Sequence, residues 1–139
     1  MSHRSMQSTR SGTTIVEGAF MLPVALFFII ATFVGAMGVF RYQQVAHLAR
    51  EGARWAAVRG TQYQFAMMAP EITPQDVYAN AIQPHMVALD PDLLSYSVTW
   101  EPNKRPGSVV TVTVTYRWIP EVFLDEIALS STSRMVMSY

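Results

Sequence analysis

Between Gly18 and Phe40 the chain reads GAFMLPVALFFIIATFVGAMGVF, 23 residues without a charged side chain. A helix rises about 1.5 Å per residue, so roughly 20 such residues cross the ~30 Å hydrocarbon layer of a bilayer. The run is apolar on every side, as a helix surrounded by lipid is; a helix lying on a soluble core carries one apolar stripe. With 139 residues in all, the remainder is too small to wrap such a helix inside a soluble domain. The run is therefore read as a membrane span. Composition agrees, since 14% of the residues are charged against ~25% in an ordinary soluble domain.

The flanks orient the span. Arg4 and Arg10 precede it with no acid before Glu17, which keeps the N-terminus in the cytoplasm and sends the rest of the chain across. Arg41, just beyond the run, opposes this bias without reversing it. A cleaved secretory signal is the competing reading, with Gly35 to Gly38 as its small-residue cleavage region. Against it, the apolar run is longer than a usual signal core, and the sequence after it remains helical.

That continuation, RYQQVAHLAREGARWAAVRG (41–60), has no proline and is rich in good helix formers. An unbroken helix over about residues 13–59 would be ~70 Å long, with Gly60 at its C-terminal cap. Pro23 removes one backbone donor near its start and predicts a kink or local loosening. Ala31, Gly35 and Gly38 have the small-residue spacing that lets another helix pack closely. Glycine is also simply common in membrane helices, and spacing does not separate the two readings.

Beyond Gly60, TQYQFAMMAPEI has no clean period and reads as a connection. In TPQDVYANAI, Thr73 is placed as an N-cap, Pro74 as the first helical residue and Asp76 as the capping-box partner. Val77, Ala81 and Ile82 would face inward, and Pro84 would bend or end the helix. LDPDL reads as a turn. LSYSVTW and SVVTVTVTYRW alternate apolar and hydroxyl side chains with the period of two of half-buried strands. The turn-rich EPNKRPG between them makes a hairpin, and IALSSTSRMVMSY supplies a more polar third strand. The expected fold is α+β: leader 1–12, a spanning and extended helix 13–60, and a small extracytoplasmic domain 61–139 with a short helix and a three-stranded antiparallel sheet. The upper part of the long helix would cover the sheet's apolar face.

Chemistry-bearing motifs are missing. Ten basic and ten acidic residues give no basic footprint for nucleic acid. There is no cysteine, which removes disulfides and thiolate sites. His3, His47 and His85 are spread over leader, helix and loop, with no pair at metal-ligand spacing. No nucleophile elbow, SxxK or phosphate-binding glycine loop occurs. Asp90 and Asp92 flank a turn proline, and Met67, Met68, Met135 and Met137 read as packing residues. No catalytic residue, cofactor, metal or small-molecule substrate is expected, and the chain reads as a structural or assembly protein.

Glu17 remains. A carboxylate in the first turn of a helix is favoured by the helix dipole, by ~0.3–1 kcal/mol, and needs no further role. Yet it stands five residues after Gly12, behind a short basic leader and at the mouth of the span. RSGTTIVEGAFMLPVALFF resembles the class III signal of type IV pilin-like proteins, more closely that of the TadE-like family of pseudopilins from tight-adherence (Flp-type) pilus systems. Ala49, Arg50, Glu51, Gly52, Ala53 and Arg54, within AREGARWAAVRG, resemble that family's signature after the membrane helix. VTVTVTYRWIP and LSSTSRM resemble it more weakly. Gly18 departs from the pattern, since many such signals carry an aromatic there and Phe20 comes two residues later.

The resemblance implies a type IV pilin-like layout and a minor component of pilus assembly at the bacterial inner membrane. It implies cleavage by a prepilin peptidase between Gly12 and Thr13, with other pilins, pseudopilins and assembly-platform proteins as partners. The new amine at Thr13 and the carboxylate of Glu17 would then be available for charge pairing between packed helices. An uncleaved single-pass membrane adaptor with an extracytoplasmic interaction domain is the alternative.

Overall fold

The computed structural model describes residues 10–120 and 125–138, with side chains from residue 15 onward. Most of the leader and the terminal Tyr139 thus lie outside the described residues. The chain divides into two compact units, the first ending at Met37 and the second covering Gly38–Tyr139. One helix, α1 (Arg10–Ala57), supplies the described part of the first and opens the second.

In the first unit, every side chain from residue 15 to 33 is exposed. Phe20, Phe27 and Phe33 are each at least 68% exposed. A helix with this surface needs lipid or other apolar helices around it, because each large side chain left in water forgoes ~1.5–3 kcal/mol of burial. Thr32 hides its hydroxyl by donating to the carbonyl of Phe28 at 2.8 Å. Pro23 sits inside the helix. The helix already includes Arg10, where the described residues begin, so residues 12 and 13 lie within it.

In the second unit α1 becomes amphipathic. Val45, Leu48, Ala49, Gly52, Ala53 and Ala56 are buried at spacings of three and four, a stripe along one helix face. The helix ends at Ala57, two residues short of the expectation. Gly60 is not its C-cap. With φ −77° and ψ −163° it caps the start of a further helix, α2 (Thr61–Met67). The segment read as a connection is thus partly helical, and α2 gave no periodic signal because it buries none of its residues.

The capping box forms as read. Asp76 N donates to Thr73 Oγ1, and Thr73 N donates to Asp76 Oδ2 at 2.8 Å, at the start of α3 (Pro74–Val77). The segment then widens into a π turn over Tyr78–Ile82 and tightens to a 3-10 turn at Gln83–His85. Pro84 explains the change of pitch, since it has no N–H for Asn80 and its ring displaces that carbonyl. Val77, Ala81 and Ile82 are buried. Asp90 Oδ1 accepts from Asp92 N in the LDPDL turn.

Three antiparallel strands follow, β1 (Leu94–Glu101), β2 (Val109–Trp118) and β3 (Ile127–Val136), in the order β1-β2-β3. Central β2 sends Val110, Val112, Val114 and Tyr116 into the core. The register sets Val98 opposite Val112 and Tyr96 opposite Val114. On the outer face Thr113 bonds Thr132, and Thr115 bonds Ser130, each at 2.9 Å across the strands. The buried stripe of α1 covers the apolar face together with Ile72, Val77, Ile82 and Met137. Ser138 N donates to the carbonyl of Ala57, tying the end of the chain to the end of α1.

Candidate functional site

The sequence points to α1 as the functional element, and its residues divide by what they touch. The Gly12–Thr13 peptide lies within the helix, while their side chains are outside the described residues. Glu17 is exposed. The first turn of α1 contains no acid, so Glu17 stands about two turns in, where the dipole of the intact helix has faded. It forms no ion pair among the described residues.

Ala31 and Gly35 are exposed, and a Cβ at Gly35 would meet nothing within 4 Å. Gly38 has a neighbour in its own chain. A Cβ there would lie 2.8 Å from Cζ3 of Trp118, so its bare Cα lets the indole at the end of β2 lie against α1.

The signature block divides by face. Ala49, Gly52 and Ala53 are buried, whereas Arg50 and Arg54 are exposed and Glu51 is half-buried. Gly52 marks a close approach of helix to sheet. An added Cβ would lie 3.1 Å from Val112 Cγ1 and 3.5 Å from both Ile82 Cγ1 and Val77 Cγ1. The small residues let the helix axis come down onto β2 and α3 at once. On the outer face Arg54 Nη2 pairs with Glu51 Oε2 at 2.9 Å. One turn on, Arg59 lies 4.3 Å from the ring centre of Trp55 and 5.6 Å from that of Tyr63. Glu51, Arg54, Trp55, Arg59, Asn80 and His85 border an open groove of about 370 Å³. Its aromatic and charged walls suit a protein surface better than a small reactant.

Two features escaped the sequence. Spacing separates His47 from His85, but folding brings their rings to 6.1 Å between centres, and His85 Nδ1 lies 3.0 Å from the carbonyl of Ala81. Among the described residues no three or more His, Cys, Asp or Glu side chains gather as a metal site. Gly52 belongs to the buried stripe by its spacing from Ala49 and Ala56, a signal hidden by its lack of a side chain.

Two carboxylates have lowered pKa values. The hydrogen bond from Lys104 Nζ to Glu71, with its positive charge, favours the ionised acid, and Asp76 is held down by its bonds from Thr73. Both are structural ties of the second unit.

α1 from Ile15 to Ala57 is long and apolar enough to cross a membrane. No curated protein and no solved structure matches the chain. The resemblance read from Gly12, Glu17, the apolar run and the first half of the signature is shown over that stretch: residues 12–54 match the model of the TadE-like protein family.

Proposed function

We propose that the protein is a minor pseudopilin-like component of a tight-adherence pilus or related secretion machine, held in the bacterial inner membrane by α1. The carrying observation is the family match over residues 12–54, which coincides with a helix whose apolar side chains are exposed from residue 15 to 33. The match supports a pilus-associated membrane component. The finer reading adds an N-terminus in the cytoplasm and a second unit outside it.

In this reading a prepilin peptidase hydrolyses the Gly12–Thr13 bond. Water adds across it, leaving a carboxylate on Gly12 and an amine on Thr13. The helix would then begin at Thr13, which brings Glu17 to about one turn from a new positive end. Removal of Arg4 and Arg10 leaves the amine as the principal cation near Glu17. In a setting of low dielectric constant, amine and carboxylate favour helix registers that pair them, within one chain or between neighbours. Ala31 and Gly35 offer the small-residue face for a neighbouring pilin helix. The second unit would serve as the contact domain toward other subunits.

One observation favours the second reading, an uncleaved adaptor. The Gly12–Thr13 peptide is helical, and a peptidase must unwind it before the carbonyl can be attacked. Glu17→Gln distinguishes a pairing role from a structural one, since it keeps shape and removes charge. Pilus assembly, and crosslinking to other pilins in the native membrane, should be lost while the protein level is kept. Unchanged assembly and crosslinking in Glu17→Gln would refute the pairing role.

A further inference from the structure

The apolar run continues into the second unit, which takes its last three residues, Gly38, Val39 and Phe40. From Gly18 to Phe40 the run is 23 residues long, about 34 Å of helix against the ~30 Å of a hydrocarbon layer. Glu17 and Arg41 close it at either end, so the helix has little room to slide. When α1 spans a bilayer, Phe40 therefore stands at the outer edge of the hydrocarbon.

Two other segments of the second unit meet α1 at that level. Trp118, at the end of β2, lies against Gly38. Arg41 Nη1 donates to the carbonyl of Ala88 at 2.8 Å, and its guanidinium carbon lies 5.8 Å from the ring centre of Tyr116. Gly38 and Arg41 are about 4.5 Å apart along the helix axis. Neither Met86–Leu89 nor Trp118–Pro120 contains a charged residue. Val87 is 64% exposed, Ile119 57% and Phe40 52%, and Val87 and Phe40 line one surface groove. Ala88 holds φ 55°, a left-handed backbone uncommon for a residue with a Cβ, and the bond from Arg41 secures the loop beside α1.

We propose that this apolar collar docks on the lipid surface itself: the Met86–Leu89 loop and the Trp118–Ile119 end of β2 rest in the headgroup layer around α1, with Val87 and Ile119 at the acyl boundary. Apolar loops that face water are unfavourable, and lipid already surrounds α1 at this level. Trp118 and Tyr42 suit the same depth, where amphipathic rings concentrate. Arg41, the first charge after the run, is engaged by Ala88 and Tyr116, and Arg117 and Glu126 at the border pair with each other at 3.8 Å. The opposite case is Met68 after α2, 96% exposed. It follows an α1 that runs on for about 26 Å from Phe40 to Ala57, so nothing carries it to lipid. The proposal rests on the reading that α1 crosses the membrane.

The chain has no cysteine, so single-cysteine variants of the full chain each carry one nitroxide spin label. Val87→Cys and Ile119→Cys report on the collar, Ile29→Cys on the span and Met68→Cys on the far end of the second unit. Each is placed in nanodiscs of phosphatidylcholine and phosphatidylglycerol at one chain per disc, so that no second copy can cover the collar. Electron paramagnetic resonance then compares collisions with oxygen, which concentrates in lipid, and with a neutral nickel chelate, which stays in water. The expected result is that the labels at positions 87 and 119 favour oxygen, as at position 29, while the ratio reverses at position 68. If positions 87 and 119 favour the chelate while position 29 still favours oxygen, the proposal is overturned and the span stands. A label at position 29 that favours the chelate refutes the span, and the proposal with it. Labels at 87 and 119 shielded from both reagents would mean that protein covers the collar, which also overturns it.

Discussion

The close approach at Gly52 can be measured by exchanging space between Gly52 and Val112. Val112 is fully buried, and Val112→Ala removes two carbon groups worth about 0.8 kcal/mol each. With the void left behind, the expected loss is about 2 kcal/mol. Gly52→Ala alone gains about 1 kcal/mol of helix propensity. That gain is opposed by the new methyl, which would stand 3.1 Å from Val112 Cγ1. The single variant should therefore lie within about 1 kcal/mol of the parent. In the Val112→Ala background the obstructing methyl is gone, and Gly52→Ala should recover about 1–2 kcal/mol through propensity and renewed burial. The coupling between the two sites is then about 1 kcal/mol or more. Denaturant unfolding of the full chain in micelles, followed by tryptophan fluorescence, reads all four stabilities. Equal stabilisation by Gly52→Ala in both backgrounds would show that Gly52 serves no helix–sheet contact.

The other expectations concern single contacts. Asp76 has its pKa lowered by Thr73, so its contribution to stability is present above the ordinary aspartate value of about 3.9 and is lost as pH falls through the folded value. Thr73→Val should lessen this acid loss, and an unchanged pH–stability profile would count against the capping box. Lys104→Met should return Glu71 toward the ordinary carboxylate range in an NMR titration; an unmoved titration would deny the 2.7 Å pair. Gly38→Leu should displace the Trp118 ring and alter its near-ultraviolet circular dichroism. Gly35→Leu, with open space at its Cβ, should leave that signal alone while weakening association of α1 with neighbouring helices, read by crosslinking. Identical spectra for Gly38→Leu and the parent would contradict the Trp118 contact.

What the sequence reveals depends on how local the cause is. β1 and β2 are legible because Val110, Val112 and Val114 alternate with threonines, and burial on one face demands that period. The capping box is legible because Thr73, Pro74 and Asp76 act within one turn. The apolar run marks α1, but its C-terminal end is harder to read, since the helix stops at Ala57, before Gly60 is reached. Gly60 lies at a helix boundary as expected, yet it starts α2, and α2 buries no residue that could produce a pattern. The π turn arises from the carbonyl of Asn80 meeting Pro84, which a count of apolar spacing misses. Gly38 and His47 acquire their neighbours, Trp118 and His85, only when distant segments meet. The family resemblance supplies what these patterns lack at Gly12 and Glu17, where residue chemistry alone leaves a helix-end carboxylate as an adequate reading.

The most direct measurement is the N-terminus and intact mass of the protein taken from its native membrane. Processing at the pilin-type signal predicts a chain beginning at Thr13 and lighter by residues 1–12. A mature chain that still begins at Met1 or Ser2 would contradict processing and make the protein an uncleaved membrane adaptor.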